Sequence, residues 1–174
     1  MMPGWAHWLL FEMPLFAAVI IGAHLTVSCG QTVLHHWLGH KRFGGWFFRN
    51  HINFHHTFYA RGHLESAIYH GSDGKNTPFF LVPIALIAAG LFFVLPIGLF
   101  LTLIAASGAS FGAHVVLDRE YHVHGSWLTR FAWFRRKQQL HFVHHLHANA
   151  NFAVMDFFWD RAFRTFRKPD PTGR

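Results

Sequence analysis

The chain has 174 residues, enough for one domain and too few for a separate cofactor-binding module beside it. It is 52% hydrophobic and 18% aromatic but only 13% charged, against roughly 25% in ordinary soluble domains, which points to a membrane protein. A single cysteine, Cys29, excludes both a disulfide framework and a thiolate zinc site within one chain, leaving histidine and carboxylate as the plentiful metal ligands.

In chain order, the first element is an apolar stretch. No Lys, Arg, Asp or Glu occurs between Glu12 and Lys41, and residues 14 to 34 supply about the ~20 residues that a helix needs to cross a bilayer. No small-residue cleavage site follows, so the segment reads as a retained span. Next comes a basic, histidine-rich loop from His35 to Thr77 carrying HHWLGH and HINFHH. Its GSDGKNT stretch lacks the spacing and context of a phosphate-binding loop. A second uncharged gap follows, in which Phe79 to Leu117 is long enough for two crossings, with VLPIG supplying Pro96 and Gly98 for the turn between them.

After this hairpin come DREYHVHGSW, then WLTRFAWFRRKQQL, then HFVHHLH. Trp127, Phe131, Trp133 and Phe134 beside Arg130, Arg135, Arg136 and Lys137 suggest a basic amphipathic helix in the headgroup zone. The expected architecture is an all-α membrane bundle of three to four transmembrane helices with a histidine-rich helical cap. It forms a single domain over 1–168, with a frayed tail at 169–174.

Three crossings place all fifteen Lys and Arg on one side, which the positive-inside rule makes cytoplasmic. The basic excess is thus explained by topology and anionic headgroups rather than by nucleic acid. Fourteen of the seventeen histidines share that side; His7, His24 and His114 do not. The hairpin returns the second histidine block to the membrane face where the first one sits.

On an α-helix, His141, His144 and His145 would point one way, and so would His51 and His55, with His56 a neighbour around the helix. His40 lies five residues from His35 and four from His36, and the helical spacing favours His36. Eight or more imidazoles exceed what one ion takes and imply two metals. Imidazole suits iron, zinc, copper and nickel rather than calcium or magnesium. His7, His24, His63, His70 and His114 read as ordinary polar residues, while His147 stands at the edge of the strong motif.

The ordered series of His35 with His40, of His51 with His55 and His56, and of His141 with His144 and His145, set around a hydrophobic hairpin, resembles the fatty acid hydroxylase and sterol desaturase superfamily. Trp159 and Asp160 in the closing NFAVMDFFWDRAFRTF add to the likeness, which covers roughly residues 30 to 165. The resemblance favours His35 over His36. It also implies two iron ions, replaceable by zinc on isolation, with O2 as co-substrate and hydroxylation or desaturation of a fatty acyl, sterol or carotenoid-type lipid. Electrons would come from a ferredoxin or cytochrome b5-like partner, since the chain has neither a GxGxxG after a strand nor a CxxC.

Where some members carry a further H-x3-H pair, this chain has Asp118 with His122, or Glu120 with His124. His122 is favoured, being in line with Asp118 at the helix exit. Phe54, Phe142 and Leu146 are the expected greasy walls. Asp156 and Asp160 read either as helix caps paired with Arg161 and Arg164 or as acceptors for ligand N–H groups. Two readings from other classes stand beside the oxygenase: a membrane metal transporter or store, and a b-type cytochrome using His24 and His114 as axial ligands.

Overall fold

The computed structural model of the chain describes residues 11–71 and 73–170. His7 and the end of the expected tail, from residue 171, lie outside the described residues. The described residues are mainly helical, with one isolated parallel bridge between Ser66 and Val123 and no strand.

Three long helices follow the uncharged stretches of the sequence: α1 (Met13–Leu34), α3 (Asp73–Phe92) and α4 (Ile97–Tyr121). Pro14 sits in the first turn of α1, where its missing N–H costs nothing. The expected hairpin turn falls at residues 93–96, and Pro96 is the N-cap of α4. Two segments are long and apolar enough to cross a membrane, Met13–Gly39 and Ile97–Tyr121; the apolar part of α3, Asn76–Phe92, is shorter. Their outward faces expose Ile20, Ile21, Leu86, Phe93, Ile97 and Leu101.

Between α1 and α4 the packing is closer and more polar. Ala23, Val27 and Ser28 are buried on α1 and Ser110 on α4, small side chains that let two helices approach. His24 Nδ1 meets Ser110 Oγ at 2.8 Å, and Asp156 reaches this seam from the C-terminal part of the chain, accepting from Ser28 Oγ at 2.6 Å and lying 3.0 Å from His24 Nε2.

At the end where α1 and α4 finish and α3 begins, the short elements form a second layer. These are the one-turn helix α2 (Trp46–Asn50), the helix α5 (Ala132–Leu146) and the short α6 (Phe158–Ala162). Tyr121, Leu128, Phe134 and Val154 form its core, with Leu140, Ala153 and Phe157 in a smaller cluster. Phe134, expected at the headgroups, is therefore fully buried, because it faces Tyr121 across the layer at 5.1 Å. Trp127 and Trp133 remain exposed, and Arg130 lies over the Trp127 ring.

Candidate metal centre

All nine histidines expected as ligands converge, in two adjoining groups: His35, His40, His51, His56 and His144 in one, His55, His122, His141 and His145 in the other. Within each group the donor nitrogens lie within 4.8 Å of one another. Each group takes residues from both halves of the chain.

Local backbone geometry explains the sorting. His35–Gly39 and His51–His56 are π-helical turns rather than α-helix, continuing α1 and α2 respectively. In such a turn the hydrogen bond runs from i to i+5, so residues five apart stack on one face. This is why His35 shares a group with His40, and His51 with His56. The α-helical expectation that pairs His51 with His55 is corrected here, as is the helical preference for His36. His36 instead stacks on Phe152 at 4.1 Å.

Helix α5 is a regular α-helix, so His141 and His145, four apart, fall in one group while His144 turns to the other. The expectation that all three point one way is corrected accordingly. Gly39 closes the arrangement: a Cβ there would stand 3.1 Å from His35 Cδ2 and 3.2 Å from His51 Cδ2, close enough that the rings would have to give by a few tenths of an ångström.

The partners of the ring nitrogens fix several of the tautomers. His35 Nδ1 donates to the Phe152 carbonyl (2.5 Å) and His144 Nδ1 to that of Ala150 (2.7 Å). In the other group His122 Nδ1 donates to Leu64 (2.7 Å) and His145 Nδ1 to Tyr59 (2.9 Å). A carbonyl only accepts, so in these four rings the proton is on Nδ1 and Nε2 presents a bare lone pair.

Those lone pairs face other imidazoles. His35 Nε2 is 2.7 Å from His51 Nε2 and 3.3 Å from His40 Nε2, while His144 Nε2 is 3.2 Å from His40 and 3.0 Å from His56. His141 Nε2 stands 3.0 Å from His122 Nε2 and 3.2 Å from His145 Nε2. His55 Nε2 is buried with no hydrogen-bond partner. Nitrogens bound at ~2.0–2.1 Å to one ion lie about 2.8–3.4 Å apart, the spacing found here. Five or four imidazoles gathered around a common point could hold a cation.

Electrostatics agree. Burial, followed by the neighbouring imidazoles, holds His51, His55, His141, His144 and His145 well below the ordinary value of 6.5. His40 is lowered by the same causes. His56 is lowered to about 3, mainly by burial. Burial also takes His122 to about 4, against a partly compensating bond to Leu64. The rings are neutral near pH 7, the state that a metal requires.

Of the open alternatives, the structure brings His122 and Asp118 to the site and leaves His124 outside. The His124 side chain is 64% exposed beside Glu65, and Glu120 accepts from Ser126. Asp118 Oδ1 lies 3.5 Å from His141 Nε2. His147 caps α5 and joins neither group.

Asp160 is corrected in detail. It touches no imidazole but accepts from the backbone N–H of Phe152 (2.7 Å) and Ala153 (3.0 Å) and from Thr165 Oγ1 (2.7 Å). Asn151, which the sequence does not single out, adopts a left-handed φ of 54° between the two carbonyls that hold His144 and His35. Its fully buried side chain binds Leu140 O and Arg167.

A cavity adjoins both groups, lined by His35, His51 and His55 together with Phe47, Phe80, Phe111 and Val115. The walls expected at Phe54, Phe142 and Leu146 are not these: Phe54 is half exposed, and none of the three lines the cavity. A second, wholly apolar groove runs between α1 and α3 past Leu34, Leu38, Phe79 and Val82. Comparison with family models, with curated proteins and with solved structures gives no match.

Proposed function

We propose that this chain is a membrane-embedded di-iron oxidoreductase that hydroxylates or desaturates a C–H bond of a fatty acyl, sterol or carotenoid-type lipid, in the manner of the fatty acid hydroxylase and sterol desaturase superfamily. The observation that carries the reading is the pair of buried, neutral imidazole groups with their lone pairs turned inward, set against an apolar-walled cavity. With two iron ions bound, the site would supply activation of O2 and removal of hydrogen from an unactivated C–H bond, chemistry beyond any side chain.

In this reading α1, α3 and α4 cross the bilayer, α3 with the minimum of ~17 apolar residues. The histidine layer then lies at the cytoplasmic surface with the basic residues. His35, His40, His51, His56 and His144 hold one ion, and His55, His122, His141 and His145 the other. The carbonyls of Phe152, Ala150, Leu64 and Tyr59 fix four of the nine rings, setting tautomer and orientation together. Phe47, Phe80 and Phe111 receive the lipid and keep water from the reacting carbon. A ferredoxin or cytochrome b5-like protein delivers electrons, with the exposed Arg135 and Arg136 available to an acidic donor.

The rival readings have less to stand on. Both ring nitrogens of His24 are engaged, by Ser110 and Asp156, which leaves none for a haem iron. For a transporter, ionisable groups should continue along the spans. Here the imidazoles gather at one end of the helices instead.

The test is iron content and lipid analysis of the chain purified in detergent and expressed in a host whose lipid extracts are compared with those of an inactive control. Two irons per chain and a new hydroxyl or double bond in one lipid class are expected. His55→Ala and His144→Ala should each abolish the product. One metal per chain, unchanged by either substitution, would refute the proposal.

A further inference from the structure

The two imidazole groups are unequal, five rings against four, and the missing position in the smaller one has a neighbour of different chemistry. Asp118 and His122 are four residues apart at the C-terminal end of α4, where they share a face. Asp118 Oδ1 lies 3.5 Å from His141 Nε2, the nitrogen on which His122 Nε2 and His145 Nε2 also converge. That separation is longer than the ~2.7–3.2 Å of an N–H···O hydrogen bond and is one that two neighbouring donors to a single ion can have, although Asp118 stands outside the set of four whose donors all lie within 4.8 Å of one another. The other carboxylate oxygen is fixed by Tyr69, whose hydroxyl donates to Oδ2 at 2.7 Å. Both Asp118 and Tyr69 line the cavity, beside His55.

We propose that Asp118 is the fifth ligand of the four-imidazole group, bound through Oδ1, with Tyr69 holding Oδ2 so that the carboxylate binds through one oxygen. The inference rests on the two-metal reading and deepens it. One ion then sits among five neutral nitrogens and keeps its full charge. The other has four nitrogens and one anionic oxygen, which neutralises part of its charge and favours a harder cation. The two ions are therefore inequivalent in affinity and in spectrum, and the carboxylate-bound one is the ion whose anionic ligand faces the cavity.

The experiment is Co2+ titration of the chelator-stripped full chain in detergent, followed by calorimetry and by the cobalt absorption bands, for the parent, Asp118→Ala, Asp118→Asn, Asp118→His and Tyr69→Phe. The parent should bind two ions in distinguishable steps with different spectra. Asp118→Ala and Asp118→Asn should weaken one step by about 100-fold and leave the other at its parent value. Tyr69→Phe should weaken the same step by about 10-fold. Asp118→His should restore it with a shifted spectrum.

The unaffected step reports that the fold is intact. Should the alanine variant not remain monodisperse, Asp118→Asn, which keeps the shape of the side chain, carries the test. Two steps at parent affinity and with parent spectra in the asparagine variant would overturn the assignment, as would equal weakening of both steps. A parent that binds fewer than two ions would instead remove the two-metal reading itself.

Discussion

The five-imidazole and four-imidazole groups share two segments of chain, the His51–His56 turn and α5, and differ in the third, residues 35–40 for one and His122 for the other; each is also held by a different loop. His35 and His144 rest on carbonyls of the Ala150–Phe152 turn after α5, whereas His122 and His145 rest on carbonyls of Leu64 and Tyr59 in the segment before α3. The adjacent pairs His55–His56 and His144–His145 both split, one ring to each group, and His56 stacks on His145 at 4.3 Å across the boundary. A histidine doublet therefore acts as a branch point that supplies two sites from one turn. The two loops should be separable by mutation, each affecting its own group.

Acid gives the largest effect, because it strikes both groups at once. His51, His55, His56, His122, His141, His144 and His145, all lowered chiefly by burial, are neutral in the folded chain and take a proton near pH 6.5 when unfolded. Below pH 6.5 the unfolded state binds more protons, so stability falls with pH until each folded value is reached, at about 1.4 kcal/mol per unit per group. Thermal unfolding of the metal-free chain in detergent should show a steep loss between pH 6.5 and 4. His122→Gln should remove one proton from the slope down to about pH 4, and His56→Gln one proton down to about pH 3. A flat profile would mean that the rings are solvated or protonated.

Next in size is a substitution confined to one group. Gly39→Ala places a methyl against the ring carbons of both His35 and His51. Any shift of the rings works against the His35 bond to Phe152 and the packing of His51 on His55, 5.3 Å between ring centroids. The five-imidazole group should bind its ion about 10–100-fold more weakly, while the four-imidazole group keeps its own. Equal loss at both would show that the groups form one unit.

The extent to which these groups are legible in the sequence differs by feature. Charge-free stretches mark all three long helices, because composition depends on neighbours in the chain; histidine spacing marks most of the nine candidates, whereas His35 over His36, and His122, follow from the family resemblance. The partition into two groups is not legible: it depends on the π-helical turns at His35–Gly39 and His51–His56, which convert a spacing of five into a shared face. The carbonyls that orient the rings carry no side-chain signature at all. Tyr59, Leu64, Ala150 and Phe152 contribute main-chain oxygens, so any residue type would serve there, and only Asn151, tolerant of its left-handed backbone, leaves a trace. Asp118 is legible as a departure from the pattern of the family that the sequence resembles, but its bond to Tyr69 spans 49 residues and appears only in three dimensions.

The smallest effect, and the sharpest test of separable loops, concerns Asp160. Its buried carboxylate, raised above the ordinary value chiefly by burial and held back by bonds from Thr165, Ala153 and Phe152, organises the turn that presents the Phe152 carbonyl to His35. Asp160→Ala leaves two backbone N–H groups without their acceptor and leaves the Thr165 hydroxyl only the main-chain carbonyl of residue 160, 3.4 Å away, at a cost of about 1–3 kcal/mol for each group left unsatisfied. Part of this is recovered if water enters. Asp160→Asn keeps one acceptor oxygen and should lose less. Because Asp160 touches no ring, the damage passes through the turn: His35 loses its fixed tautomer, and the five-imidazole ion weakens by about 10-fold. The four-imidazole ion, oriented from Tyr59 and Leu64, should be unmoved in Co2+ affinity and absorption, even though the variant as a whole unfolds at a lower temperature. A general loss of stability with both ions equally weakened would reduce Asp160 to a structural anchor and remove the division of labour between the two loops.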